Sequence, residues 1–179
     1  MNLFFSCISK NLIIILEKNK KIIDSFKETF YLDHVNNCVK SINSFLKKNN
    51  LNFFDLNNIY VTSKIGSLTG KRVCFTILKT LSILKPDLNF FEINSLIFQV
   101  GNNQGYSLIK TFKYKYYYSL IKNKQIIFEP KIIEDKNLNN LKLTKEKIFL
   151  DFDNCNYVQN FLDLKKDFKK IKNIKNYEI

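Results

Sequence analysis

Ser63-Lys64-Ile65-Gly66-Ser67-Leu68-Thr69-Gly70-Lys71-Arg72-Val73-Cys74 is the stretch on which the reading of this chain turns. It follows Ile59-Tyr60-Val61-Thr62, a short β-branched run that reads as a strand. It precedes a segment reaching Leu84 and closed by Pro86, which reads as a helix starting at Thr69 or Gly70. The chain has four glycines and a single arginine, and two of those glycines and that arginine, Arg72, lie here. Read from the residues alone, this is a tight turn needing glycine flexibility, a Thr cap, and one Arg in the first helical turn. It lacks the Lys-Ser/Thr ending of a P-loop, so a turn rather than a phosphate cradle is expected at Gly66 and Gly70.

Working outward, Leu3 to Ile8 and Leu12 to Leu16 are apolar runs split by Ser9-Lys10-Asn11 and predict a hairpin. A third strand is expected in Ile22 to Tyr31. The period then changes: Val35, Cys38, Val39, Ile42, Phe45 and Leu46 recur at helical spacing, with Asp33 as cap and Asn49-Asn50 as stop. In the second helix, Val73, Cys74, Phe75, Ile77, Leu78, Leu81, Ile83 and Leu84 cover more than one face, which predicts burial on two sides. Phe90 to Ile93 is another strand. Three strands, helix, strand, helix, strand suit an α/β layered lobe. Further on, Tyr106 to Ile121 and Gln125 to Phe128 read as paired strands around Asn123-Lys124, and Lys147 to Phe152 as one more. Tyr157, Phe161, Leu164, Phe168 and Ile171 predict an amphipathic terminal helix with a Lys-rich outer face.

The loop resembles the signature of the TsaB family, GPGSFTGxRIG, set between the same two elements. Gly66, Ser67, Thr69, Gly70 and Arg72 match residue for residue, while Lys64, Ile65, Leu68 and Cys74 replace the family's Gly, Pro, Phe and Gly. His34 stands where the family carries a His at the head of the first long helix. Asp55-Leu56 and Ile93-Asn94-Ser95-Leu96 are similar to family stretches flanking the loop. The likeness is good over residues 1–96, thins over 100–135 to Tyr117 and Glu129-Pro130-Lys131, and is not seen beyond. It implies an actin-like ATPase (ribonuclease H-like) α/β lobe over 1–96 and a reduced second lobe with a basic terminal helix over 97–179.

The departures bear on chemistry. Cys7, Ile8 and Ser9 stand where the family's first strand ends in Asp-Thr-Ser, and Lys110, Thr111 and Phe112 replace its Asp-Ala-Arg stretch. In actin-like folds an Asp in this first loop helps hold metal and phosphate. The resemblance therefore implies no catalytic residue, no cofactor and no metal, but a pseudo-enzyme that supports a TsaD-type enzyme in threonylcarbamoyl transfer to adenosine of tRNA (the t6A modification). The expected partner surface is the two helices: His34, Val35, Cys38, Val39, Ile42, Leu46, Gly70, Val73, Cys74, Ile77, Leu78 and Leu81. A TsaE-type ATPase is a further partner that the resemblance allows, with tRNA reached indirectly. Without the partner, the same face is expected to form a homodimer.

Composition bounds the alternatives. The chain has 179 residues, 45% hydrophobic and 15% aromatic, enough to build a core. Its formal net charge is +13, almost all from Lys. Phosphate and base recognition usually draws on Arg forks as well, and a bias toward Lys, Asn and Ile along the whole chain fits compositional drift. The Lys-rich tail, Lys165 to Lys175, is either a solvated face or an RNA contact. Cys7, Cys38, Cys74 and Cys155 are scattered and His34 is the one histidine, so no metal spacing and no Cys/His or Ser/His/Asp set arises. The expected location is cytoplasmic, with no leader and no membrane span. Two other classes stay open: a minimal actin-like nucleotide hydrolase or acyl transferase, disfavoured by Cys7, and a free-standing basic RNA-binding protein, disfavoured by the lack of an aromatic RNP-type motif.

Overall fold

The computed structural model describes residues 1–30, 34–142 and 145–174, with the side chains of 34–36 and 142 excepted. Strands β1 (Asn2–Ser6), β2 (Asn11–Lys18) and β3 (Lys21–Thr29) form an antiparallel meander. Helix α1 (His34–Lys48) then leads through a short 3-10 turn to β4 (Asn58–Ser63), which pairs parallel with β1. Helix α2 (Leu68–Leu84) crosses to β5 (Asn89–Asn94), parallel to β4. The order β5-β4-β1-β2-β3 is the actin-like, ribonuclease H-type arrangement expected from the sequence. Tyr31 and Asp33, the expected end of the third strand and the expected cap of α1, lie outside the described residues.

Alternation explains the layers, because successive strand residues point to opposite faces. Leu3, Phe5, Leu12, Ile14, Leu16, Ile59 and Val61 face one cluster, with Cys38, Ile42, Phe45 and Leu46 of α1 and Cys74, Phe75, Leu78 and Leu81 of α2. Phe4, Ile13, Ile15 and Tyr60 face the other side and a second cluster. Helix α1 ends as its Asn49-Asn50 pair predicts. Asn50 adopts the left-handed conformation (φ 55°), and the amides of Leu51 and Asn50 donate back to Leu46 and Lys47, a Schellman closure that uses Asn in place of Gly.

The second lobe repeats the first in abbreviated form. Helix α3 (Ser95–Val100) leads into β6 (Gly105–Phe112) and β7 (Lys115–Lys122), an antiparallel pair extended by β8 (Gln125–Ile126) and β9 (Lys131–Glu134). Helix α4 (Leu138–Lys142) precedes β10 (Ile148–Leu150), which lies parallel to β6 as β4 does to β1. Helix α5 (Tyr157–Leu164) and Phe98, Phe161 and Phe168 cover the second face of the first sheet. Phe4 stacks on Phe98 with ring centroids 4.6 Å apart, and Tyr60 meets Phe161 and Phe168 edge-on.

Two sequence expectations are corrected. Tyr106 to Ile121 is two strands turned at Lys113-Tyr114, a turn without Gly, Pro or Asn. The terminal helix stops at Leu164 rather than Ile171. The chain then returns to the first sheet as β11 (Lys169–Lys170), antiparallel to β5, and inserts Ile171 and Ile174 under α2's side of the sheet. The three- and four-residue spacing of Phe161, Leu164 and Phe168 is real, but Phe168 is buried from extended backbone.

Buried amides tie the second lobe together and join it to the first. Gln99 on α3 donates to Ser107 Oγ (2.8 Å) and to the carbonyls of Leu108 (3.1 Å) and Phe149 (3.0 Å), and accepts from the Phe152 amide. Asn160 on α5 donates to Phe98 O (2.8 Å) and Gln99 O (3.2 Å). Across the joint, Asn11 donates to Asp151 O (2.5 Å) and to Asp153 Oδ1 (2.9 Å) and accepts from Thr29 Oγ1.

One charge is wholly buried in the first sheet. Glu17 accepts from Lys165 Nζ, from Asn2 Nδ2 (2.6 Å) and from the Lys20 amide. Burial pushes its carboxyl pKa upward, but Lys165, Asn2 and Lys20 together outweigh burial and hold it below the ordinary glutamate value. The ionised form is thus favoured by folding. Its contribution is complete above about pH 4.3, the ordinary Glu value, and is lost as pH falls through the lower folded value. Asp151 opposes this, since burial raises its pKa and its protonation favours the folded state as pH falls. Chemical denaturation between pH 3 and 7, set about these ordinary carboxyl values, should show Glu17→Gln flattening the acid limb of the wild-type curve. Lys165→Met should cost about 3 kcal/mol at neutral pH by stranding Glu17 and progressively less in acid. An acid limb unchanged by Glu17→Gln refutes the assignment.

Candidate functional site: the signature loop and the outer face of the helices

In the actin-like arrangement, the turn between the first two strands and the loop after β4 meet at one end of the sheet. Here they meet with no space between them. The Ser67 amide donates to Ile8 O at 2.8 Å, and the Ile65 carbonyl accepts from Ser95 Oγ. Gly66 has φ 149°, and a side-chain carbon added to it would lie 2.7 Å from Ile8 O. At Gly70 the added carbon would lie 2.2 Å from Cys7 O. The two signature glycines therefore serve close approach of backbone to backbone, in keeping with the expected turn.

The cap of α2 differs from expectation by one turn residue. Ser67, not a threonine, caps the helix, its Oγ accepting from the Gly70 amide at 3.3 Å. The helix starts at Leu68, so Thr69 lies in its first turn with its side chain exposed. Arg72 is also exposed.

Cys7, at the position of the family's acidic residue, is fully buried beside Cys38 and Cys74. Contact with Cys38 pulls its pKa down, but Cys74 and burial more than reverse this and hold it well above the ordinary thiol value. Contact with Cys7 and burial push Cys38 up as well. These thiols stay neutral and unreactive. Scattered in sequence, three of the four cysteines are thus gathered in one apolar cluster, where they behave as small hydrophobes. Burial raises Cys155 to about 11. Among the described residues no group of three or more His, Cys, Asp or Glu side chains could hold a metal ion.

The interlobe edge of the first turn is filled by an ion pair. Lys10 Nζ lies 2.8 Å from Asp153 Oδ2. Asp151 accepts from the Lys110 amide at 2.7 Å, and Lys27 Nζ donates to Phe152 O at 2.8 Å. Asp151 and Phe152 hold left-handed backbone (φ 46° and 62°). Asn11 and Asp151 carry this joint, Gln99 and Asn160 hold the second lobe behind it, and none of them was readable as important, because Asn and charged residues occur throughout the chain.

The helix residues expected to face a partner divide into two groups. Cys38, Ile42, Leu46, Gly70, Cys74, Leu78 and Leu81 are buried inside this chain. Val39 is 47% exposed, and Val73 and Ile77 are half-buried at the rim. His34 and Val35 head α1, and their side chains lie outside the described residues. The outermost stripe of α2 is Thr69, Arg72, Thr76, Thr80 and Ile83. The expected second apolar side is reduced to Leu68, Val73, Ile77, Ile83 and Leu84: Thr69, Thr76 and Thr80 hold the centre of the outer face, with Arg72 and the half-buried Lys79 on the same side.

No protein-family model matches the chain. Among curated proteins, it is 27% identical to the uncharacterized MG208 homologue of Mycoplasma pneumoniae, over 99% of this chain and 92% of that one. It is 34% identical to the uncharacterized MG208 of Mycoplasma genitalium over 60% and 56% of the two chains. Among solved structures, YeaZ from Pseudomonas aeruginosa matches with a TM-score of 0.69 at 9% identity, covering 93% of this chain and 90% of YeaZ. A second structure, of a protein with similarity to the peptidase YeaZ from P. aeruginosa, matches equally at 10% identity and the same coverage. The fold is therefore TsaB-like, extending over the second half where sequence likeness fades. No helix among the described residues is long and apolar enough to cross a membrane.

Backbone closure at the loop makes a sharp stability test. Gly70→Ala should destabilise by about 2 kcal/mol or more, as overpacking against unyielding backbone does. Arg72→Ala, on the exposed stripe, should stay within about 0.5 kcal/mol. Urea midpoints of the two variants check this, and a Gly70→Ala protein as stable as wild type contradicts the closed geometry.

Proposed function

We propose that this chain is a non-catalytic scaffold subunit that docks a TsaD-type threonylcarbamoyl transferase and supports its action on adenosine of tRNA. The observation that carries the reading is the closed loop: Ser67, Gly66 and Gly70 pack directly on Ile8 and Cys7, where an actin-like enzyme would receive phosphate and metal. A buried neutral thiol replaces the acidic residue there. The TsaB-like fold and the signature residues Gly66, Ser67, Thr69, Gly70 and Arg72 support the same assignment. The single histidine and the buried thiols argue against a hydrolytic centre of the kind the word peptidase implies.

The docking surface in this reading is the outer side of α1 and α2, formed by Val39, Thr69, Arg72, Val73, Thr76, Ile77 and Thr80, with the exposed Ile83 and Leu84 at its end. Lysines stud the other surfaces of this chain, and a helix stripe centred on threonines, with Arg72 and the half-buried Lys79 as its charges, suits close packing of a partner's helices. Small threonines permit such an approach, and desolvating them costs far less than desolvating lysine. The buried residues of the same helices hold the stripe rigid. A homodimer through the same stripe, an isologous contact, is the form expected in the partner's absence, and a TsaE-type ATPase joins the complex in this reading.

Co-purification with the TsaD homologue of the same organism tests the proposal. Wild type should elute with it as one complex at micromolar concentration. Thr76→Glu with Thr80→Glu should weaken the association at least about a hundredfold, since unpaired charges would be desolvated at the interface centre. Circular dichroism and thermal midpoint should remain those of wild type, because both side chains point outward. Separate elution of the wild-type proteins, or undisturbed association of the glutamate variant, overturns the assignment.

A further inference from the structure

The hairpin between β6 and β7 ends in Phe112-Lys113-Tyr114-Lys115, and nothing in the fold accounts for what it displays. Phe112 is 66% and Tyr114 73% exposed. Composition explains lysines anywhere on this chain. It does not explain two large rings left in water side by side at the end of a hairpin, when 17 Phe and 9 Tyr serve mainly to build cores. The tip is held in place: Asp135 N donates to Tyr114 O at 2.7 Å, β9 pairs with β7 along Lys115–Tyr118, and Lys113 takes the left-handed turn conformation (φ 40°). Order at the tip means that the rings are presented at little entropic cost.

Around them stand exposed Lys110, Lys113, Lys115 and Lys136, with exposed Lys131 farther along β9, opposite Tyr118. Lys113 Nζ lies 5.7 Å from the Phe112 ring centre, and Lys131 Nζ 5.6 Å from that of Phe128. Lys136 is neutralised by Glu134 at 2.9 Å, whereas Lys110 and Lys113 form no ion pair among the described residues. Two depressions border the rings. One, of about 530 Å3, is lined by Tyr114, Glu134, Asp135, Lys136, Leu138 and Asn139. The other, of about 270 Å3, is lined by Phe112, Lys113, Tyr114, Lys115 and Glu134. Tyr114 lines both. Glu134, Asp135 and Asn139 supply acceptors that suit base amino groups, while the lysines suit phosphates.

The geometry points to a single-stranded RNA contact at this hairpin, in which Phe112 and Tyr114 stack on unpaired bases and Lys110, Lys113 and Lys115 meet the backbone. Stacking on exposed rings with flanking cations is the way sequence-tolerant single-strand sites are built. A protein partner is the competing occupant, and unpaired lysines beside the rings favour the polyanion. The hairpin belongs to the second lobe, whose aromatic cluster packs on the face of the first sheet away from α1 and α2, so RNA contact and partner docking are separable.

Fluorescence anisotropy of the full chain with a labelled oligouridylate of roughly 12 nucleotides, the span of a small single-strand site, tests it at about 0.1 M salt. Wild type should bind, and a duplex RNA of equal length should bind more weakly because its bases are hidden. Phe112→Ala with Tyr114→Ala should weaken binding about tenfold or more, with an unchanged salt dependence. The swap Phe112→Tyr with Tyr114→Phe should retain binding, and Lys113→Gln with Lys115→Gln should flatten the salt slope. Absence of wild-type binding, equal binding of the alanine pair, or preference for duplex overturns the inference. The alanine pair should still co-elute with the TsaD homologue, and the Thr76→Glu with Thr80→Glu protein should still bind the oligouridylate, so each failure is read separately.

Discussion

Strands β1, β2 and β4 are apolar on both faces, and a strand of that kind has to be covered twice. Leu3 and Phe5 point one way and Phe4 the other, as do Ile14 and its neighbours Ile13 and Ile15. One cover is the pair α1 and α2. The other is the aromatic cluster of α3, α5 and Phe168, which draws the whole second lobe against the first. The chain's end then completes both covers, with Phe168 on one side and Ile171 and Ile174 on the other. A shortened second lobe is tolerable on this account, because its first duty is to shield the sheet's second face.

Apolar packing alone would leave the lobes free to slide, since it is not directional. Asn11 removes that freedom across the joint through its bonds to Asp151 and Asp153, and two further buried amides fix the second lobe internally. Gln99 spends both ends of its side chain on the β6–β10 region, and Asn160 satisfies carbonyls at the end of α3. Leaving such groups unpaired in the interior would cost about 1–3 kcal/mol each, so each amide admits few alternative registers. The same logic governs the signature loop. Gly66, Ser67 and Gly70 lie directly on the first turn and close this end of the sheet, and the Cys7 thiol at its base remains neutral.

A chain with a formal net charge of +13 gives little contrast for reading function from lysines. Contrast comes from what interrupts them. The outward stripe of α2 is threonine, and the β6–β7 tip carries exposed rings. One departure lies on α2 of the first lobe and the other on the second sheet, so the two proposed contacts would use different surfaces.

Periodicity in the sequence determined the elements of the first half: the meander, α1 with its Asn49-Asn50 stop, β4, α2 and β5, because burial imposes periods of two and 3.6 on residues close in the chain. The Gly66–Arg72 loop was legible for the same local reason, as a turn between strand and helix. Other features were decided only by the tertiary structure. The break at Lys113-Tyr114 carries no turn residue. The end of α5 at Leu164 is set by β11 reaching the β5 edge, and the roles of Asn11, Gln99 and Asn160 depend on partners scores of residues distant. Burial could not be assigned from helical spacing either. Cys38, Ile42 and Leu78 looked as available to a partner as Val39, since a helix with apolar residues on several faces does not say which face meets its own sheet until the sheet is in place.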